Sequence, residues 1–251
     1  MKSATPFVLG NTVMLLVVLA MNYLANALPI AGVTPAQVSD MFPTLFTPAG
    51  FTFAIWGVIY LLLIGFAIYQ IKFLGKEVPL FLQKIGWLFV LSCAANAGWL
   101  LAFHHLQMGL SMLVMLVLLG SLLAIYLRLE TEGRVQFWLV RLPFSVYLGW
   151  ICVATIANAS ILLSHLGWNG EPGGPQLWTV AVIAAAVAIG LLALLKRRDF
   201  GLAFVIVWAL FGIYSKRIAD VGDQDGMVEV AALAGMVATV LGIIYRFIKR
   251  R

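Results

Sequence analysis

Eight long apolar stretches, separated by short polar segments, make up most of this chain. They run Val8–Leu28, Phe51–Ile71, Ile85–Phe103, Met108–Leu127, Leu139–Leu163, Leu177–Leu195, Phe200–Ser215 and Val228–Ile248. A helix of about 20 apolar residues crosses the roughly 30 Å hydrocarbon core of a bilayer. The seventh stretch is the shortest. All are too long for barrel strands, which alternate polarity over about ten residues. The pattern predicts an all-α integral membrane protein, a bundle of about eight transmembrane helices.

Composition closes the soluble alternative. The chain is 63% hydrophobic and 10% charged, with a mean hydropathy of +1.03, where a soluble domain carries about 25% charged residues. A net charge of +6 could suit nucleic acid, but the basic residues form short clusters between apolar runs and line no polar face. That arrangement is topological. With the N-terminus in the cytoplasm, only Lys216 and Arg217 of the 16 Lys and Arg residues fall outside. Asp40, Glu171, Asp220, Asp223, Asp225 and Glu229 collect in the outer loops. The positive-inside rule then places both termini in the cytoplasm, and merging or dropping one helix would scramble the alternation. The expected location is a bacterial or archaeal cytoplasmic membrane, with lipid as the first partner and no nucleic acid.

Lys2 and the Ala25-Asn26-Ala27 triplet also fit a cleaved signal peptide. One lysine and a long apolar stretch favour a retained helix instead. Two outer segments, Pro29–Gly50 with Pro29, Pro35, Pro43 and Pro48, and Ser164–Gln176, are too proline-rich for a continuous helix. Gly222-Asp223-Gln224-Asp225-Gly226 resembles a fragment of a calcium loop but lacks the distal glutamate, so it reads as a solvated acidic turn.

Polar residues in lipid need partners, which marks Asn22 and Asn26, Asn96 and Asn158 as facing the bundle interior. Helical spacing adds aromatic neighbours to them. Phe53, Trp56 and Tyr60 share one face of the second helix; Ser92, Asn96, Trp99 and Phe103 one face of the third; Tyr147, Trp150, Ala154 and Asn158 one face of the fifth. Trp87, Trp138, Trp168 and Trp178 suit interfacial belts. Trp56, Trp99 and Trp150 lie deeper, and an aromatic-walled cavity between helices two, three and five follows, with Asn96 or Asn158 as its orienting hydrogen bond. For any single one of these residues, packing or interhelical hydrogen bonding is the simpler account.

Other chemistry is sparse. Cys93 and Cys152 lack metal or redox spacing and read as small buried side chains. His104-His105 reads as an exposed helix end. No catalytic group and no metal site is indicated, and no helix centre carries the carboxylate that proton relays need. Lys216 and Arg217 read as snorkelling anchors or a surface pair with Asp220, or alternatively as an anion-attracting rim above the cavity.

Three segments resemble the tryptophan-rich sensory protein family, also called the translocator or peripheral benzodiazepine receptor family (TspO/MBR). They are Pro43-Thr44-Leu45-Phe46-Thr47-Pro48 with Phe53-Ala54-Ile55-Trp56-Gly57-Val58-Ile59-Tyr60, then Asn96-Ala97-Gly98-Trp99 with Phe103, then Leu142-Pro143 through Tyr147 and Trp150 to Asn158. Their order and spacing match a five-helix core over about residues 8–163. Phe46 stands where the family has a loop tryptophan, Ala49 replaces a proline, Phe42 replaces a lysine, and the Pro-Tyr pair is spread to Pro143 and Tyr147. The resemblance implies a bundle that binds tetrapyrroles, sterols or drug-like molecules, often as a homodimer. By position, Trp56, Tyr60, Trp99, Tyr147, Trp150 and Asn158 would line its pocket with Phe46 in the lid, and Trp56 and Trp150 match tryptophans linked to porphyrin breakdown. Residues 1–165 would form the core and 166–251 three added helices packed on it. A binder or sensor of a hydrophobic aromatic molecule, with a tetrapyrrole as possible bound group, is the leading expectation. A transporter of such molecules and a tetrapyrrole-degrading enzyme are the alternatives.

Overall fold

In lipid every backbone N–H and C=O must be satisfied within its own segment, so each apolar run folds as a helix. The computed structural model describes residues 3–27, 30–42, 44–130, 133–168, 170–220 and 226–249. Lys2, Pro29, Pro43, Asp223, Asp225, Arg250 and Arg251, with most of the Gly222–Gly226 turn, lie outside the described residues. The helices are α1 (Thr5–Ala27), α2 (Pro35–Asp40), α3 (Ile55–Ile71), α4 (Leu80–Ile85), α5 (Leu88–His104), α6 (Met108–Arg128), α7 (Gly133–Gln136), α8 (Leu142–His165), α9 (Gly174–Arg197), α10 (Phe200–Ala219) and α11 (Met227–Ile248). Among the described residues seven spans are long and apolar enough to cross a membrane, and α5, at 17 residues, is a shorter apolar helix. The chain is a helical integral membrane bundle.

Local chemistry moves three boundaries. Gly86, at φ 52, ends α4, so the third run starts its long helix at Leu88 and not Ile85. α10 continues past Ser215 to Ala219 because the heads of Lys216 and Arg217 find partners: Lys216 Nζ lies 2.5 Å from Asp40 Oδ1, and Arg217 Nη1 3.5 Å from Asp220 Oδ2. At the start of the fifth run, α7, a π-turn over Phe137–Arg141 and α8 form one span from Gly133 to His165.

α5 packs on α1 and α6, α6 on α8, and α3 on α1 and α8. α10 packs against α8 and also contacts α9 and α11, so it joins the last three helices to the rest. Small residues let membrane helices approach closely where no hydrophobic drive brings them together. A Cβ on Gly149 of α8 would stand 3.1 Å from Val205 Cβ and 3.3 Å from Leu202 Cα of α10. At the same joint buried Asp199 caps α10, accepting from the Leu202 N–H at 3.0 Å and from the Ser145 hydroxyl of α8.

Buried amides tie α1 into the bundle. Asn11 Nδ2 donates to Gln70 Oε1 of α3 at 3.0 Å, and Asn22 Nδ2 to Asn96 Oδ1 of α5 at 3.1 Å. Each ion pair among the described residues joins residues expected on the same side of the membrane. Lys84 Nζ lies 2.7 Å from Glu130 Oε2 and holds that carboxyl below its ordinary pKa, by the hydrogen bond first and then by its charge. His104 departs from expectation. It is buried at the end of α5, with Nδ1 2.7 Å from the Leu100 carbonyl, and only His105 is exposed.

Candidate functional site

α3, α5 and α8 bring their aromatic faces together. The Trp56 ring lies 6.3 Å from Trp99, 6.3 Å from Trp150 and 6.0 Å from Tyr147, and stacks on Tyr60 at 5.5 Å. Phe53 meets Trp150 edge-on at 5.9 Å, and Trp99 stacks on Phe103 at 5.2 Å. Trp56, Trp99 and Trp150 are 9%, 4% and 3% exposed. Each offset or edge-on pair adds about 0.5–1.5 kcal/mol beyond burial, so the cluster holds its own geometry.

Hydrogen bonds orient part of this cluster and leave part open. Asn158 Oδ1 accepts from Trp99 Nε1 at 3.2 Å and from Ser111 Oγ at 3.1 Å, while its Nδ2 faces Met112 Sδ at 3.6 Å. Asn96 Nδ2 donates to Tyr147 Oη at 2.9 Å. Trp150 Nε1 is buried and has no hydrogen-bond partner among the described residues. An unpaired buried donor is costly, which marks Trp150 Nε1 as the group with most to gain from a ligand acceptor.

Phe53, Trp56, Trp99, Phe103, Trp150 and Asn158 line a cavity of about 30 Å³, roofed by Ser39 of α2 and by Pro48. That is room for about two waters, well short of the roughly 150 Å³ in which a benzene sits. The site is narrow, and an organic ligand of ring size enters only if the roof or the side chains shift. Tyr60, Asn96 and Tyr147 stand behind the tryptophans and do not line it. Phe46 is elsewhere. It lines a separate cavity of about 330 Å³ with Ser160, Ser164, Trp168 and Trp178. The reason is physical: a loop residue has no helical period, so the direction of its side chain is not written in spacing. Trp178 is half-buried there and donates to Ser160 Oγ at 3.3 Å, a more specific position than an interfacial belt.

The roof is fastened to α10. The Ala49 N–H donates to the Gly212 carbonyl at 3.0 Å, Trp208 Nε1 donates to the Thr52 carbonyl at 3.0 Å, and Phe51 packs on Trp208 and Phe211. Lys216 adds its pair with Asp40 and so serves as a latch on α2, where an anion-attracting rim was the alternative expectation. Helical spacing alone does not single out Trp208 and Gly212. A tryptophan far from either end of the seventh run was the available signal. Among the described residues no cluster of three His, Cys, Asp or Glu side chains could hold a metal.

A multispan helical bundle enclosing an aromatic-walled cavity with few, convergent polar groups has the build of a membrane-embedded small-molecule site. The family comparison agrees: the chain matches the model for TSPO-like proteins over residues 7–245 and belongs to that family. The matched span reaches from α1 into α11, so it includes the three helices beyond the five-helix resemblance. Neither the curated proteins nor the solved structures gave a match. Membership points to membrane-embedded binding or sensing of small molecules in general.

Proposed function

We propose that this protein binds a hydrophobic aromatic small molecule in the cavity between α3, α5 and α8. The observation that carries the reading is the buried Trp150 Nε1, without a partner among the described residues, on a side chain that lines a cavity of aromatic and aliphatic groups. The ligand would stack on Trp56 and Trp150 and place an acceptor at that N–H. Tetrapyrroles are the class that the family resemblance implies, and a macrocycle needs the roof to lift. In this reading residues 1–165 hold the ligand, and residues 166–251 fasten the roof through Trp208, Gly212 and Lys216. The basic end faces the cytoplasm, as the distribution of the 16 Lys and Arg residues supports.

Protoporphyrin separates the possible activities. In sealed proteoliposomes a binder saturates, a carrier moves the probe into the lumen, and an enzyme changes the probe's absorption spectrum with time. Saturation without the other two is expected; luminal accumulation or a time-dependent spectrum overturns the assignment as a binder. For the topology, a reporter fused after Arg251 is expected to read cytoplasmic and one inserted at Gly173 external. The same reading from both contradicts it.

A further inference from the structure

A second large cavity lies away from the aromatic site, at the basic end of the bundle. It measures about 760 Å³ and is walled by Arg134, Phe137 and Trp138 after the loop into the fifth span, by Arg198 and Phe204, and by Phe247 of α11. The placement follows from helical spacing. Arg134 and Trp138 are one turn apart in a single span, and Phe204 stands one turn into α10, whose cap Asp199 follows Arg198. Trp138, Phe204 and Phe247 are 53%, 58% and 65% exposed, so they present aromatic surface to the lipid.

Two groups of arginines at this end differ in what they do. Arg141 donates to the Arg197 carbonyl, Arg197 to the Leu129 carbonyl at 3.1 Å, and Arg246 to the Leu194 carbonyl at 3.3 Å. These three neutralise the carbonyl ends of helices, a common structural duty for arginine. Arg134 and Arg198 do no such work. Both are exposed, and among the described residues neither has an acid within ion-pair distance. Arg198 also holds φ at 52, at the helix end where a glycine is the usual occupant. A guanidinium stands there although the backbone favours a residue without a side chain.

We propose that this groove binds the headgroup of an anionic phospholipid, with Arg134 and Arg198 on its phosphate and the aromatic walls along its acyl chains. Charge complementarity selects the occupant. Two guanidiniums without an acid partner among the described residues, at the mouth of an apolar groove, suit a molecule with an anionic head and a hydrocarbon body. Guanidinium meets phosphate with paired donors, and basic residues between membrane helices bind acidic headgroups by the same physics.

Native mass spectrometry of the full chain, extracted from bilayers of equal phosphatidylglycerol and phosphatidylcholine, tests this. The wild type is expected to retain phosphatidylglycerol over phosphatidylcholine. The Arg134→Gln/Arg198→Gln pair should lower that retention roughly tenfold or more. Lys72→Gln/Lys76→Gln, which removes the same charge from the same end, should leave it unchanged. An unaltered melting temperature in both pairs shows that folding is intact. Equal loss in the two pairs, equal retention of the two lipids, or displacement of phosphatidylglycerol by excess inorganic phosphate would each overturn the assignment.

Discussion

Replacing Trp56 by alanine is expected to cost about 3 kcal/mol of stability, the low end of the range for emptying a buried tryptophan site. Trp56 touches Tyr60, Trp99, Tyr147 and Trp150, so its loss removes the ring on which four others pack. Lipid, not water, is the reference for a membrane helix, and the transfer part of the cost is therefore small. What remains is lost dispersion and the void left behind, since the indole's neighbours sit on three different helices and cannot all collapse inward. Trp87→Ala, at a ring 53% exposed, should change stability by less than about 1 kcal/mol. Thermal denaturation in one detergent compares the two. A similar loss in both variants would mean that the cluster is ordinary lipid-facing surface.

Gly212→Ala should act through the roof. A Cβ at Gly212 would overlap Thr52 Oγ1 and stand 2.9 Å from Thr52 Cγ2 and 3.0 Å from Pro48 Cβ. Thr52 is fully buried and cannot turn away, so the loop must lift from α10. Overpacking of this kind costs about 1–3 kcal/mol. Adding Thr52→Ala removes the two nearest colliding atoms, leaving Pro48 Cβ at 3.0 Å, and should restore much of the stability, which a general defect in α10 would not allow. If ligand entry requires the roof to open, the single variant also starts nearer the competent state, and protoporphyrin should associate faster with it than with the wild type. Slower association in a folded Gly212→Ala protein would argue that the roof is no gate.

The helices were legible in the sequence because lipid permits few alternatives to a long apolar helix. Their ends were less so. Hydropathy does not register that Gly86 takes a left-handed conformation, nor that Lys216 has Asp40 as a partner 176 positions away and so can extend α10. In the site, period-of-four spacing put Phe53, Trp56, Trp99, Trp150 and Asn158 on facing surfaces, and these line the cavity. Asn96 belonged to the same stripe as Trp99, but its bonds to Asn22 and Tyr147 make it interhelical glue. The choice between those roles depends on a partner in α1, which spacing within α5 does not reveal. Phe46 was placed by its position in a loop motif, and loops have no face. Trp208 and Gly212 carry their meaning only once α10 is known to lie against the roof.

The central claim is that the narrow aromatic cavity widens to take an aromatic ligand and orients it from Trp150. Trp150→Phe keeps a ring in the wall and removes the unpaired N–H, so it tests the site with little disturbance of the fold. Titration of protoporphyrin into detergent-solubilised protein, followed by the probe's own fluorescence, should saturate for the wild type. Loss of one hydrogen bond of about 0.5–1.5 kcal/mol should weaken binding roughly two- to tenfold in Trp150→Phe. Trp138→Phe, in the groove at the basic end, should match the wild type. A wild-type signal that rises without saturating, or the same affinity in all three proteins, would contradict the account.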